Sequence, residues 1–142
     1  MKVNQINVFT DGGARGNPGP AAIGFYIETL KGEEIISIGK KIGVTTNNVA
    51  EYSAILEALI WLLENDEILE KNAKLNFFLD SLLASSQLSG MFKVKNAKIR
   101  ELIFSIRQKE AELGVNTTYK HIPREKNKKA DRMVNLALDN ML

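Results

Sequence analysis

KLNFFLD, Lys74–Asp80, is the stretch around which the rest of the chain can be arranged. Leu75, Phe77 and Leu79 alternate with Asn76 and Phe78, so both faces of the segment carry apolar side chains. Such a run reads as a strand buried on both sides, the kind found where a crossover feeds a sheet interior. It stops at a carboxylate, Asp80. An earlier segment, Val3–Thr10, has a similar form, with Ile6, Val8 and Thr10 on one face and Asn7 and Phe9 on the other. It too is followed by a carboxylate, Asp11. If the two strands run parallel and adjacent, their carboxyl ends meet, and Asp11 and Asp80 face each other where open α/β sheets place their sites.

The flanking elements complete that sheet. AAIGFYIETL and EEIISIGKKIG stand on either side of Lys31-Gly32 and predict a hairpin. Thr46–Asn48 offers helix-capping residues before a helix reaching about Glu64, with an apolar stripe expected at Val49, Tyr52, Leu56, Leu59, Ile60 and Leu63. Helical patterns recur over Ser81–Gln87, Ala97–Leu113 and Lys128–Met141. NTTYKHI, Asn116–Ile122, is a last strand stopped by Pro123. The order is βββαβαβα: a five-stranded mixed α/β sheet, made of an antiparallel three-strand meander plus two parallel strands, flanked by helices. Residues 1–142 are expected to form a single domain, since that length supports one core and no linker or repeat interrupts it.

TDGGARGNPGP, Thr10–Pro20, reads as more than a hairpin loop. Its glycines leave backbone bare, as a close-lying ligand requires. A net charge of +2 gives little hint of a polyanionic partner. Charge is uneven, however: Lys93, Lys95, Lys98, Arg100, Arg107 and Lys109 cluster, as do Lys120, Arg124, Lys126, Lys128, Lys129 and Arg132. These are either solvated helix faces or a phosphate-binding surface. There is no cysteine, which excludes disulfides and thiolate metal sites and suits a cytoplasmic setting. The chain shows neither a secretory signal core nor an apolar run long enough for a membrane span.

Four carboxylates have placements that bring them together. Asp11 and Asp80 follow strands, Glu51 lies in the first turn of a helix in line with Ile55, Ala58 and Leu62, and Asp131 lies in the first turn of the last helix. Singly, each has an ordinary explanation at a turn or a helix N-terminus. Together at one sheet end they would repel, and a cation is needed to hold them. An oxygen-only donor set selects hard ions such as Mg²⁺ or Mn²⁺, two of which can share a carboxylate ~4 Å apart for in-line phosphoryl displacement.

TDGGARGNPGPAAIG, TTNNVAEYSAILEAL, the strand ending LDS, FKVKN and HIPREKNKKADRMVNLAL resemble, in order, the successive blocks of type 1 ribonucleases H, closest to their archaeal and short bacterial branch. The resemblance spans nearly the whole chain and implies the ribonuclease H-like fold. It implies an endonuclease that hydrolyses the RNA strand of RNA/DNA hybrids to 3′-hydroxyl and 5′-phosphate ends, with two ions held by Asp11, Glu51, Asp80 and Asp131. It further implies RNA contacts from Gly12, Gly13, Asn17, Asn47 and Asn48, and grip on the other strand by Lys93 and Lys95. For Asn47 and Asn48, helix capping is the competing role. Double-stranded RNA stands as a possible second substrate, and a monomer is expected. Two departures matter: Leu82 stands where many relatives carry Gln, and there is no room for the basic protrusion of some bacterial members, so grip is expected to spread to Lys98 and Arg107.

In many relatives a histidine ten residues before the fourth carboxylate assists the reaction, a spacing that His121 has from Asp131. Those histidines stand in flexible loops, whereas His121 lies within a strand and is expected to pack against the sheet. Arg124, in the loop after Pro123, is the alternative helper, since a guanidinium can neutralise developing charge though it cannot act as a base. Two other readings compete: a different nuclease on the same fold, and a catalytically silent nucleic-acid-binding module. Trp61, inside the helix stripe, is expected in the core.

Overall fold

In the computed structural model, residues 2–90 and 93–142 are described. Five strands form one sheet in the order β3-β2-β1-β4-β5: β1 (Val3–Ala14), β2 (Gly19–Thr29), β3 (Glu34–Thr45), β4 (Leu69–Leu79) and β5 (Asn116–His121). The first three strands are antiparallel, while β4 runs parallel to both β1 and β5. The helices are α1 (Asn47–Glu64), α2 (Leu82–Leu88), α3 (Ala97–Leu113) and α4 (Lys128–Leu138), with 3-10 turns at Asp66–Ile68 and Arg124–Lys126. The expected βββαβαβα order and mixed sheet are therefore present. Among the described residues, no helix is long and apolar enough to cross a membrane.

Local chemistry sets the helix ends. The Thr46 hydroxyl accepts from the Val49 amide at 3.2 Å, Ser81 accepts from Ala84 at 3.1 Å, and Asn96 accepts from Ile99 at 3.0 Å. Each satisfies an amide that has no partner inside its helix. Gly114 closes α3 in the left-handed conformation, φ 65°. Because Thr46 caps α1, Asn47 and Asn48 are not the caps and project from its first turn.

The main core lies on the α1 and α3 side, where Ile6, Val8, Leu75 and Phe77 meet Tyr52, Ile55, Leu59, Leu62 and Ile106. The buried face of α1 centres on Ala54, Ile55, Ala58, Leu59 and Leu62, so the expected stripe through Leu56, Ile60 and Leu63 is displaced by about one position. Alanines cause the shift: small side chains let the helix approach the sheet closely, and they do not register as an apolar stripe. Trp61 packs against this core. On the opposite face α4 rests on β1, β2 and β3, burying Val134 and Ala137 against Ala22. That approach needs Gly24, where a Cβ would lie 2.4 Å from the Ala130 carbonyl oxygen.

β1 does not end at Asp11. It continues through Gly12 and Gly13 to Ala14, with Asp11 opposite Gly24 and Gly13 opposite Ala22, which leaves only residues 15–18 for the turn. The glycine-rich stretch is thus mostly strand rather than an extended loop. Gly12 is bare for a different reason: a Cβ there would sit 2.2 Å from the Ala50 carbonyl carbon. The first turn of α1 packs directly on this strand.

Candidate active site

The parallel pairing of β1 with β4 ends at Thr10 opposite Leu79, so the next residue on each strand, Asp11 and Asp80, stand side by side. The close approach of α1 at Gly12 brings Glu51 over the same point. α4 crosses β1 from the other face and delivers Asp131 from its first turn. The expected convergence of the four carboxylates is present in the fold.

Electrostatics report that closeness. Burial raises Asp11 from the usual 3.8 to about 8, helped by the charges of Asp80, Asp131 and Glu51 and by the hydrogen bond that a protonated Asp11 gives Asp131. Glu51 rises to about 7, again mainly through burial; Asp80 pushes it further up, while the Ser81 hydroxyl and the Arg124 guanidinium oppose the rise. Burial is the main reason Asp11 and Glu51 resist ionising, and neighbouring carboxylate charge adds to it. As placed, no three acidic or histidine side chains among the described residues are grouped so as to hold a metal ion. Asp11, Glu51 and Asp131 line a cleft of about 370 Å³ together with Gly12, Gly13, Asn47, Arg124 and Asn135, while Asp80 lines a small adjoining hollow with Asp11, Glu51 and Ser81.

The neighbours of the carboxylates are fixed by specific bonds. Asn127, 1% exposed, donates from Nδ2 to the Thr10 carbonyl at 2.9 Å and to Asp80 Oδ2 at 3.1 Å. Sequence reading missed it, because an Asn just before a helix looks like a cap. Here its side chain caps nothing and reaches inward instead. Asn135 donates to the Asp131 backbone oxygen at 3.1 Å and to its carboxylate at 3.4 Å.

The predicted substrate residues divide. Gly13 is open to the cleft, where a Cβ would meet only Val134 at an ordinary 3.8 Å. Asn47 also lines the cleft, and its Oδ1 accepts from the Ala14 amide at 2.8 Å. Asn17 Oδ1 accepts from the Asn47 amide at 2.9 Å, so it ties the β1–β2 turn to the start of α1. Asn48 is exposed on the first turn of α1. Lys93 and Lys95 are exposed on the segment before α3, while Phe92 of FKVKN lies outside the described residues.

Of the two candidate helpers, Arg124 lines the cleft and acts on Glu51, whereas His121 does not line it. His121 ends β5 opposite Leu79 and is exposed, so the expectation that it packs against the sheet is corrected: the strand ends there, and among the described residues nothing buries its last side chain. Arg107 is also reassigned. It pairs with Glu110 at 3.1 Å and donates to the Leu88 carbonyl, and Glu110 in turn accepts from the Tyr119 hydroxyl. These bonds fasten α3 to α2 and β5, so Arg107 is a structural bracket.

Comparison with known proteins agrees with this geometry. The RNase H family profile matches residues 3–139. Ribonuclease HI of Halobacterium salinarum is 33% identical over 139 residues, covering 96% of this chain and 65% of that protein. A bifunctional protein of Mycobacterium tuberculosis is 32% identical over 95% of this chain, which spans only 36% of its length. The crystal structure of LC11-RNase H1 in complex with an RNA/DNA hybrid superposes with a TM-score of 0.87 at 41% identity, covering 95% of this chain and 97% of that one. Four carboxylates meeting on this sheet end, and a family match from the first strand to the last helix, lead to one conclusion: the chain belongs to the RNase H family.

Proposed function

We propose that this chain hydrolyses the RNA strand of RNA/DNA hybrids, leaving 3′-hydroxyl and 5′-phosphate ends. The observation that carries the proposal is the convergence of Glu51, Asp80 and Asp131 around Asp11, beside a cleft rimmed by glycine backbone and asparagine. The donor set is all oxygen, and Asp11 and Glu51 are held above the usual carboxylate range partly by neighbouring charge. A hard divalent cation among them relieves that repulsion, so these residues fit Mg²⁺ or Mn²⁺. The four carboxylates would hold two such ions, which when bound activate water and offset charge on the phosphate.

The chain's own groups do the rest. Gly13 lets a ribose approach the β1 backbone, which suits recognition of the 2′-hydroxyl that separates RNA from DNA. Asn47 lines the same cleft, and Asn17 holds the turn beside it. Asn127 holds Asp80 in one orientation. Arg124 presents a permanent positive charge beside Glu51, where it can meet a phosphate. Lys93 and Lys95, exposed before α3, would meet backbone phosphates, contacts that position a duplex without reading its sequence.

Labelled RNA/DNA, RNA/RNA and DNA/DNA duplexes incubated with Mg²⁺ or Mn²⁺ test this reading. The RNA strand of the hybrid should be cut and DNA/DNA left intact, with the RNA/RNA arm reporting whether double-stranded RNA is also a substrate. Turnover that persists undiminished in EDTA, or equal cutting of DNA/DNA, would refute it.

A further inference from the structure

α4 covers β1, β2 and β3 but has no substantial contact with β4 or β5, so among the described residues that half of its side of the sheet is left without a helix. Its side chains follow from the strand alternation: Gln5, Asn7 and Phe9 on β1, Lys74, Asn76 and Phe78 on β4, and Thr118 and Lys120 on β5. Phe9 and Phe78, each partly exposed, stack at 5.0 Å with 24° between their planes. Tyr26 stands 6.2 Å from Phe9. Beside them opens a hollow of about 270 Å³, lined by Phe9, Tyr26, Asn127, the carboxylates of Glu28 and Glu125, and the ammonium groups of Lys126, Lys128 and Lys129.

We propose that this face is a second nucleic-acid contact, which takes the unpaired bases of a strand leaving the cleft. Lys129 is committed to Tyr26, 4.4 Å above its ring and 3.0 Å from its hydroxyl. Lys120, Lys126 and Lys128 are exposed and form no ion pair among the described residues. The face also carries an amide ladder: Asn76 donates to Gln5 at 2.8 Å and to Asn7 at 3.2 Å, and Asn7 donates to Glu28 at 3.3 Å. Flat aromatic surface, amides and free ammonium groups together suit stacked bases and their phosphates. A cross-strand aromatic pair that merely stiffens the sheet would account for the stack, but not for the lysines around it. An apolar protein partner fits this charged rim poorly.

The face adjoins the site through Asn127, which lines the hollow and donates to Asp80. Phe9 precedes Asp11 by two residues on the same face of β1, about 7 Å along the strand, and Phe78 precedes Asp80 by two residues at the end of β4. The proposal rests on the hybrid reading of the cleft only for the direction from which the strand arrives.

Fluorescence anisotropy in EDTA tests it. A short blunt hybrid is compared with hybrids that carry a single-stranded extension of about ten nucleotides at each of the four ends in turn. At least one extension should tighten binding by about fivefold or more, the scale of stacking one base on an aromatic ring. Phe78→Leu combined with Lys120→Gln and Lys128→Gln should abolish that gain and leave blunt-hybrid affinity unchanged. Each lysine lost should also lower the salt slope of the extended substrate by about 0.7. A melting scan confirms folding, and the two lysine substitutions alone serve if the Phe78 variant melts early. The proposal is overturned if no extension tightens binding, or if the gain survives every substitution. Extension-dependent binding in a protein that ignores the blunt hybrid would remove the cleft reading and keep this one.

Discussion

Replacing Asp11 with Asn should stabilise the metal-free protein, and only at neutral and alkaline pH. In the folded chain the Asp11 carboxyl is raised to about 8, against 3.8 ordinarily. A carboxyl raised by folding adds most stability at low pH, where it is protonated in both states. That contribution is lost as pH climbs from about 4 to about 8, because the unfolded chain releases its proton first. At ~1.4 kcal/mol per pKa unit, the full shift corresponds to ~6 kcal/mol. The cleft is open to solvent, and three neighbouring carboxyls can share the remaining proton, so we expect about 2 kcal/mol to be recovered. For a chain of this length that is roughly 5–8 °C in melting temperature. Thermal melts of wild type and Asp11→Asn in EDTA, at pH 4 and pH 8, measure it directly. The two should melt together at pH 4 and diverge at pH 8, and added Mg²⁺ should raise wild type more than the variant. Equal melting temperatures at pH 8, or the same offset at both values, would refute the idea that ionising the buried Asp11 beside these carboxyls strains the fold.

Four further outcomes are expected. Asp80→Asn should abolish hybrid cleavage while its circular dichroism spectrum stays native, because the change keeps the side chain's shape. Gly12→Ala should cost about 3 kcal/mol or more in urea unfolding, since its Cβ would collide with the Ala50 backbone rather than with a movable side chain. Asn127→Ala should cost about 1–3 kcal/mol by leaving the Thr10 carbonyl unpaired, and should slow turnover more than it weakens hybrid binding. Arg124→Ala should slow turnover by about 10²–10³-fold, the scale of removing one group that stabilises transition-state charge, while His121→Ala stays near wild type; the reverse ranking in steady-state kinetics would return the helper role to His121.

Much of this protein is legible in one dimension because strand and helix periods are local. The alternation through Val3–Thr10 and Lys74–Leu79, the hairpin around Lys31-Gly32 and the run after Thr46 specify the element order. A carboxylate after each of two apolar strands names the site, since parallel neighbours must bring those ends together. Contacts between distant elements were not legible. No local pattern says that Gly12 and Gly24 are bare to admit helix backbones, or that β1 runs on through the glycines to Ala14. Asn127 looks like a cap until the end of β4 places Asp80 within its reach. Arg107 looks like a free cation until β5 sets Tyr119 beside its partner Glu110. The pattern of side chains along the chain decides which elements form; the distances between elements, which decide what each polar group touches, exist only once the sheet has closed against its helices.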